Sequence, residues 1–209
     1  MKNMNFRAFI LVLTLLSATL ILNACSDNRP GEPPTSDVQQ FLGEGFAFKY
    51  PTSGRLDLQG QSADFRRRLS ITGPDVRLYM PQTGGEISLP AFAFEVTVFD
   101  NPGRLDGRAF ARERILSGWR KARDAGEPAG FWPVDPATNE VDSRNIRIHG
   151  REALEVAHFA GDAMLVCRYT ASGAVALSVC YRDMPPENNP FTESWRAVWL
   201  QASDSIRLN

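Results

Sequence analysis

Three cysteines, two histidines and a run of three arginines are the residues of this chain whose types and spacing suggest chemistry. Cys167 and Cys180 enclose twelve residues, which is not the C-x-x-C spacing of a redox-active pair. The segments that hold them, AMLVCRYT and AVALSVCYR, flank the short ASG and read as a hairpin. Two readings stand open: a disulfide closing a loop of about 14 residues and contributing roughly 3 kcal/mol, or two separate buried thiols acting as small apolar side chains. A metal shared by His149 and His158 needs i, i+4 spacing on a helix or facing strands. With HGRE as a hairpin turn, His158 lies roughly six residues or more along the return strand. At about 3.3 Å per residue the two separate by close to 20 Å, so no metal or other cofactor is expected. Arg66, Arg67 and Arg68 form the densest charge; they suit lipid phosphates or an anionic glycan, or else a solvated strand end. Phe131 and Trp132 stand between a glycine and a proline in GEPAGFWPVDPATNEVDSR, a long connection without periodicity. Such connections are uncommon and often functional. The pair reads either as a contact patch for a partner or as a plug folded back on the sheet. No G-x-S-x-G elbow, P-loop or G-x-G-x-x-G occurs. Only two histidines exist to serve the serines as bases. No catalytic residue is assigned, and the chain reads as non-catalytic.

The elements that must position these groups are legible in outline. GFAFKYP sets Phe46, Phe48 and Tyr50 on one side and stops at Pro51, a strand signature. RRLSITG and DVRLYM read as short strands separated by Gly73-Pro74. AFAFEVTVFD carries Phe92, Phe94, Val96 and Val98 on one face and Ala93 and Phe99 on the other, so cover is expected on both sides. Asp106 is placed to cap a helix in which Ala111, Ile115, Trp119 and Ala122 recur at helical spacing before Gly126 and Pro128 end it. NIRIHG and EALEVAHFAG alternate as strands ahead of the cysteine hairpin. In the last stretch Asn189 reads as a cap and Pro190 as the first helical residue. Phe191, Trp195, Val198, Trp199, Ala202 and Ile206 form one apolar stripe behind them. Strand runs with two striped helices predict an α+β domain with an antiparallel sheet.

The amino terminus gives an address. Lys2 and Arg7 precede Ala8 to Leu22, fifteen residues without a charge. A membrane-spanning helix needs about 20 apolar residues, and a run this short suits the apolar region of a secretory signal peptide. The segment Leu22-Asn23-Ala24-Cys25 then resembles the lipobox of bacterial lipoproteins. That resemblance implies cleavage before Cys25, a diacylglycerol on its thiol and usually an acylated new amino group; an ordinary signal peptide or an uncleaved anchor are the alternatives. One chain binds a bilayer only marginally, whereas several hold it firmly. The Ser26-Asp27 order leans toward the outer membrane, periplasmic face, rather than the inner one. Residues 1–24 are read as signal peptide, 25–40 as a proline-rich tether and 41–209 as one domain. Without Lys2 and Arg7, 21 basic residues face 24 acidic ones. That balance lacks the basic stripe a nucleic-acid partner requires.

The order GFAFKYP, RIHGREALEV, CRYTASGAVALSVCY and the closing DSIRL resembles the PsbP-like fold, named for an extrinsic photosystem protein and shared by bacterial envelope lipoproteins. The resemblance implies a central antiparallel sheet of about six or seven strands sandwiched by helices over residues 41–209. It brings no catalytic residues and no cofactor. The expected function is a membrane-anchored accessory or assembly factor for an envelope complex, with the bilayer and an envelope protein as partners. The alternative is a small-ligand or cell-wall-binding lipoprotein with a pocket under the 126–143 loop. A hydrolase with a non-standard site is the third reading.

Overall fold

The computed structural model describes residues 37–80, 84–127, 132–160, 163–186 and 188–209. Its elements are β1 (Val38–Gly43), β2 (Phe46–Pro51), β3 (Arg55–Gln59), β4 (Arg67–Thr72), β5 (Asp75–Met80), β6 (Gly85–Pro90), β7 (Ala93–Asp100), α1 (Gly107–Asp124), β8 (Arg144–Ile148), β9 (Arg151–Ala160), β10 (Ala163–Ser172), β11 (Val175–Asp183), α2 (Thr192–Asp204) and β12 (Arg207–Leu208). Seven strands form an antiparallel sheet in the order β3-β4-β7-β11-β10-β9-β8. β7 takes an interior place because both its faces are apolar: Phe94, Val96 and Val98 are buried on one and Phe99 on the other. Between β8 and β9, His149 and Gly150 have φ of +48° and +75°, the left-handed pair that a two-residue type I′ hairpin turn requires.

One face of the sheet carries the larger core. Phe46 and Phe48 of β2 and Trp195, Val198 and Trp199 of α2 pack against Leu69, Val96, Leu177 and Val179. Burial of each aliphatic or phenyl side chain is worth about 1.5–3 kcal/mol. Both indole N–H groups find carbonyls, Trp195 donating to Pro90 at 3.0 Å and Trp199 to Val179 at 2.8 Å. The rings are thus buried without stranding a donor.

The other face carries α1. The Asp106 side chain accepts from the N–H groups of Arg108 and Ala109, both at 2.9 Å, which holds the first turn and contributes about 1 kcal/mol. Phe110, Ala111, Ile115 and Trp119 then pack on Leu154, Val156 and Tyr169. Gly107 permits the close approach: a Cβ there would lie 2.3 Å from the Glu152 carbonyl oxygen and 2.9 Å from Thr170 Cα.

The expected α+β class, a sheet sandwiched by helices, is overturned. Among the described residues twelve strands lie in three sheets beside only two helices, so the domain is mostly β. The reason is what covers the larger core. Beside α2, the cover is itself built of strands: the antiparallel β1-β2-β12 sheet and the β5-β6 ribbon, whose Val76, Leu78 and Leu89 pack inward. The strands VQQFLG, RLDLQ and GEISLP are short, rich in polar residues or bounded by glycine or proline, and lack the β-branched runs by which strands are recognised. β1 also begins at Val38, inside the stretch read as tether. The helix α2 starts later than its sequence suggests. Asn189 does not cap it; its side-chain oxygen accepts from Phe191 N–H at 3.0 Å and holds a turn ahead of Thr192.

Candidate functional site

At the end of the sheet where β3 hands over to β4, the connection 60–66 stands between two clefts. Gln61 lines both. The connection is shaped by Ser62, whose N–H donates to Phe65 O at 3.0 Å and whose hydroxyl accepts from Asp64 N–H at 3.2 Å. The Arg66 N–H donates to Val98 O at 2.8 Å and fastens the segment to β7. The smaller cleft, about 300 Å³, is walled by Glu44, Phe46, Arg66, Arg67 and Val98. The larger, about 410 Å³, has Phe65, Phe99 and Phe110 among its apolar walls and Asp64, Asp100 and Arg114 among its charged ones. Between its lining residues Asp100 and Pro102, Asn101 is buried and fully engaged. The Asn101 amide donates to Leu105 O at 2.8 Å and Gly173 O at 3.0 Å, and its oxygen accepts from Leu105 N–H at 3.1 Å.

The charges of this region are unequally used. Arg66 bridges Glu44 and Asp100, at 3.3 Å to each. Arg68 faces Glu95 at 3.2 Å and lies over the Phe65 ring at 4.4 Å. Arg114 lies 4.6 Å over the Phe99 ring. Among the described residues, Arg67 and Arg114 form no ion pair. Burial pushes the nearby Tyr169 phenol up to about 12, and the Arg114 charge pulls it the other way. Tyr169 therefore stays a neutral wall of the second core. An apolar wall with a few fixed polar groups is the usual construction of a binding cleft.

The residues singled out from sequence are dispersed. Cys25 and Phe131, with the signal peptide and most of the tether, lie outside the described residues. Cys167 and Cys180 are bonded; they are direct partners in the β10–β11 register, with Cα atoms 4.1 Å apart. His149 occupies the β8–β9 turn, and His158 lies far along β9. Trp132 is turned inward: its ring stacks parallel to His158 at 6.3 Å between centroids and packs over Gly118 of α1, where a Cβ would meet it at 2.4 Å. Of the arginine run, Arg66 and Arg67 line a cleft and Arg68 stands beside the other. Gln61, Asp64, Asp100 and Arg114 carry no motif. Only the i, i+4 spacing of Phe110 and Arg114 on a helix hinted that those two share a side.

Burial holds His158 below the ordinary imidazole range. The unfolded chain therefore takes up the proton first. Stability present at neutral pH is expected to fall as pH drops through about 6.5 toward the folded value. Urea unfolding across that range tests this: His158→Phe, which keeps a ring against Trp132, should flatten the slope. Equal slopes in both proteins would refute the assignment.

No protein-family profile and no curated protein matches the chain. A solved structure from Bacteroides thetaiotaomicron shares 10% identity with it at a TM-score of 0.42. The alignment covers 81% of this chain and 48% of that one, so the chain spans about half the length of that protein. Likeness at this level carries no argument. No helix among the described residues is long and apolar enough to cross a membrane.

Proposed function

We propose that this protein is a membrane-tethered, non-catalytic lipoprotein of the bacterial envelope that faces the periplasm and binds a ligand at the Gln61 clefts. The observation that carries the reading is the pair of adjoining clefts, each with an arginine, Arg67 or Arg114, that no carboxylate neutralises among the described residues. The lipobox-like Leu22–Cys25 supplies the tether in this reading, with acyl chains on Cys25. The twelve steps from Cys25 to Asp37 reach at most about 40 Å, at about 3.5 Å per residue. That bounds how far Asp37 stands from the bilayer in this reading, and Ser26 favours the outer membrane.

A second reading, an accessory factor for an envelope protein complex, is favoured by a different feature. Phe159 is 54% exposed in a cleft of about 390 Å³ whose apolar side is Met164, Met184, Pro185 and Pro186 and whose charged side is Asp183, Glu193 and Arg196. One experiment separates the two. Full-length protein carrying a photo-crosslinking residue at position 61 or at position 159 is irradiated in intact cells. A non-protein adduct from position 61 is expected. A defined protein adduct from position 159 alone supports the second reading, and no adduct from either position overturns both. Fatty-acid labelling, lost in Cys25→Ser, checks the tether in the same cells.

A further inference from the structure

We infer that the ligand of the Gln61 clefts is an anionic glycan, held with its acidic group in the smaller cleft and a sugar ring in the larger one. This rests on the binding reading above and deepens it.

The smaller cleft is the anion site. Arg66 spends its charge on Glu44 and Asp100, which also fixes its guanidinium across the end of the sheet. Arg67 stands beside it on the same wall, paired with no carboxylate among the described residues. A carboxylate or phosphate entering there meets the uncompensated Arg67, while the Glu44 carboxylate on the same wall is engaged by Arg66. Charge-assisted hydrogen bonds of that kind are the strong ones. Gln61 adds an amide that both donates and accepts.

The larger cleft has a different chemistry. Its apolar wall, Phe65 with Phe99 and Phe110, suits the carbon-bound hydrogens of a sugar ring. Its rim mixes acceptors and donors: Asp64 and Asp100 accept, Arg114 donates, and Gln61 and Ser62 do both. Hydroxyl groups each donate and accept, so a mixed rim serves them. A second bare anion would be repelled by the two carboxylates. The Arg114 guanidinium lies 4.6 Å over the Phe99 ring, a contact that limits the side-chain freedom lost when it binds. The volume, about 410 Å³, lies in the range of small-molecule sites. Since Gln61 borders both clefts, a ring in one and its acidic substituent in the other share a single wall.

Calorimetry on the detergent-solubilised full chain tests this with four probes. They are the acidic disaccharide of N-acetylglucosamine and N-acetylmuramic acid, its neutral counterpart diacetylchitobiose, inorganic phosphate, and a tetraglutamate peptide. The acidic disaccharide is expected to bind tighter than each of the others. Arg67→Gln should weaken it by about tenfold and leave neutral-sugar binding unchanged; Arg114→Gln should weaken both sugars. Circular dichroism and thermal melts keep loss of binding distinct from loss of fold. Equal binding of the two disaccharides overturns the acidic-group assignment. Preference for phosphate or for the peptide overturns the glycan class while leaving the clefts a binding site. If no probe binds, the glycan inference falls, and a position-61 adduct then decides separately whether the clefts bind at all.

Discussion

Arg168→Ala is expected to cost about 3 kcal/mol of stability, lowering the thermal midpoint by about 6–12 °C for a domain of this size. Arg168 is only 8% exposed although it projects from the middle of β10. It donates to Glu155 at 2.8 Å, to Ser203 at 3.0 Å and to Asp204 at 2.6 Å, and its guanidinium lies 4.8 Å over the Trp199 ring. One side chain thereby joins the sheet to the last turn of α2. Removing one partner of a buried ion pair typically costs about 3–5 kcal/mol because the other is left charged and unpaired. Here the low end applies. Glu155 keeps Arg144 at 2.7 Å, and the Asp204 side chain is 64% exposed and can be hydrated. Arg168→Met retains an apolar stem against Trp199 and should recover about 1 kcal/mol of the loss. Urea unfolding with an unchanged m-value is the measurement. A loss below about 1 kcal/mol for the alanine variant would show that the network adds no net stability.

Removing the Cys167–Cys180 bond is expected to cost about 3 kcal/mol and to leave the fold in place. The bond joins register partners whose pairing is already specified by the two cores they enter, with Val166, Leu177, Val179 and Tyr181 packed on one face and Cys167, Tyr169, Ala171, Ala176 and Cys180 on the other. Its contribution therefore lies mainly in restricting the unfolded chain, across a separation of 13 residues. Cys167→Ala/Cys180→Ala and reductant treatment of the native protein should shift the urea midpoint equally. Both should also raise the m-value, because the unfolded chain expands without the cross-link. Thiol counting on unfolded, unreduced protein should find no reactive group at either position. Two reactive thiols there would contradict the bond directly.

Much of the frame was legible because the signals were local. Asp106 followed by an apolar stripe gave α1 and its cap, and Phe94 to Phe99 marked a strand apolar on both faces. The ASG between two apolar runs gave the hairpin on which the cysteines meet. The mostly β character was not legible. β1, β3 and β6 pair with strands next to them in sequence and β12 with the distant β2; all four are edge strands held by that pairing and by the face they lie on, and those terms leave little mark on two to six residues of sequence. The resemblance to PsbP-like domains rested on the order of recognised segments, none of which was β1, β3 or β6, and it placed the β12 residues Arg207 and Leu208 at the end of the closing helix. The arginine run showed the same divide: three adjacent residues gave the charge density, while which of them were already neutralised depended on Glu44, Asp100 and Glu95, contributed by other segments of the chain.

What the amino-acid sequence determined by itself was the set of local preferences: the Asp106 cap, the two helical stripes, the interior strands and the hairpin that carries both cysteines. Each is written in residues a few positions apart, where backbone sterics and side-chain periodicity act directly. Tertiary structure alone decided the strand-built cover over the core, the inward turn of Trp132 and the two clefts about Gln61. Those depend on which surfaces meet across the chain. Burial and charge pairing are settled by neighbours in space, so the unspent charge of Arg67 and Arg114 became visible only once the whole sheet was assembled.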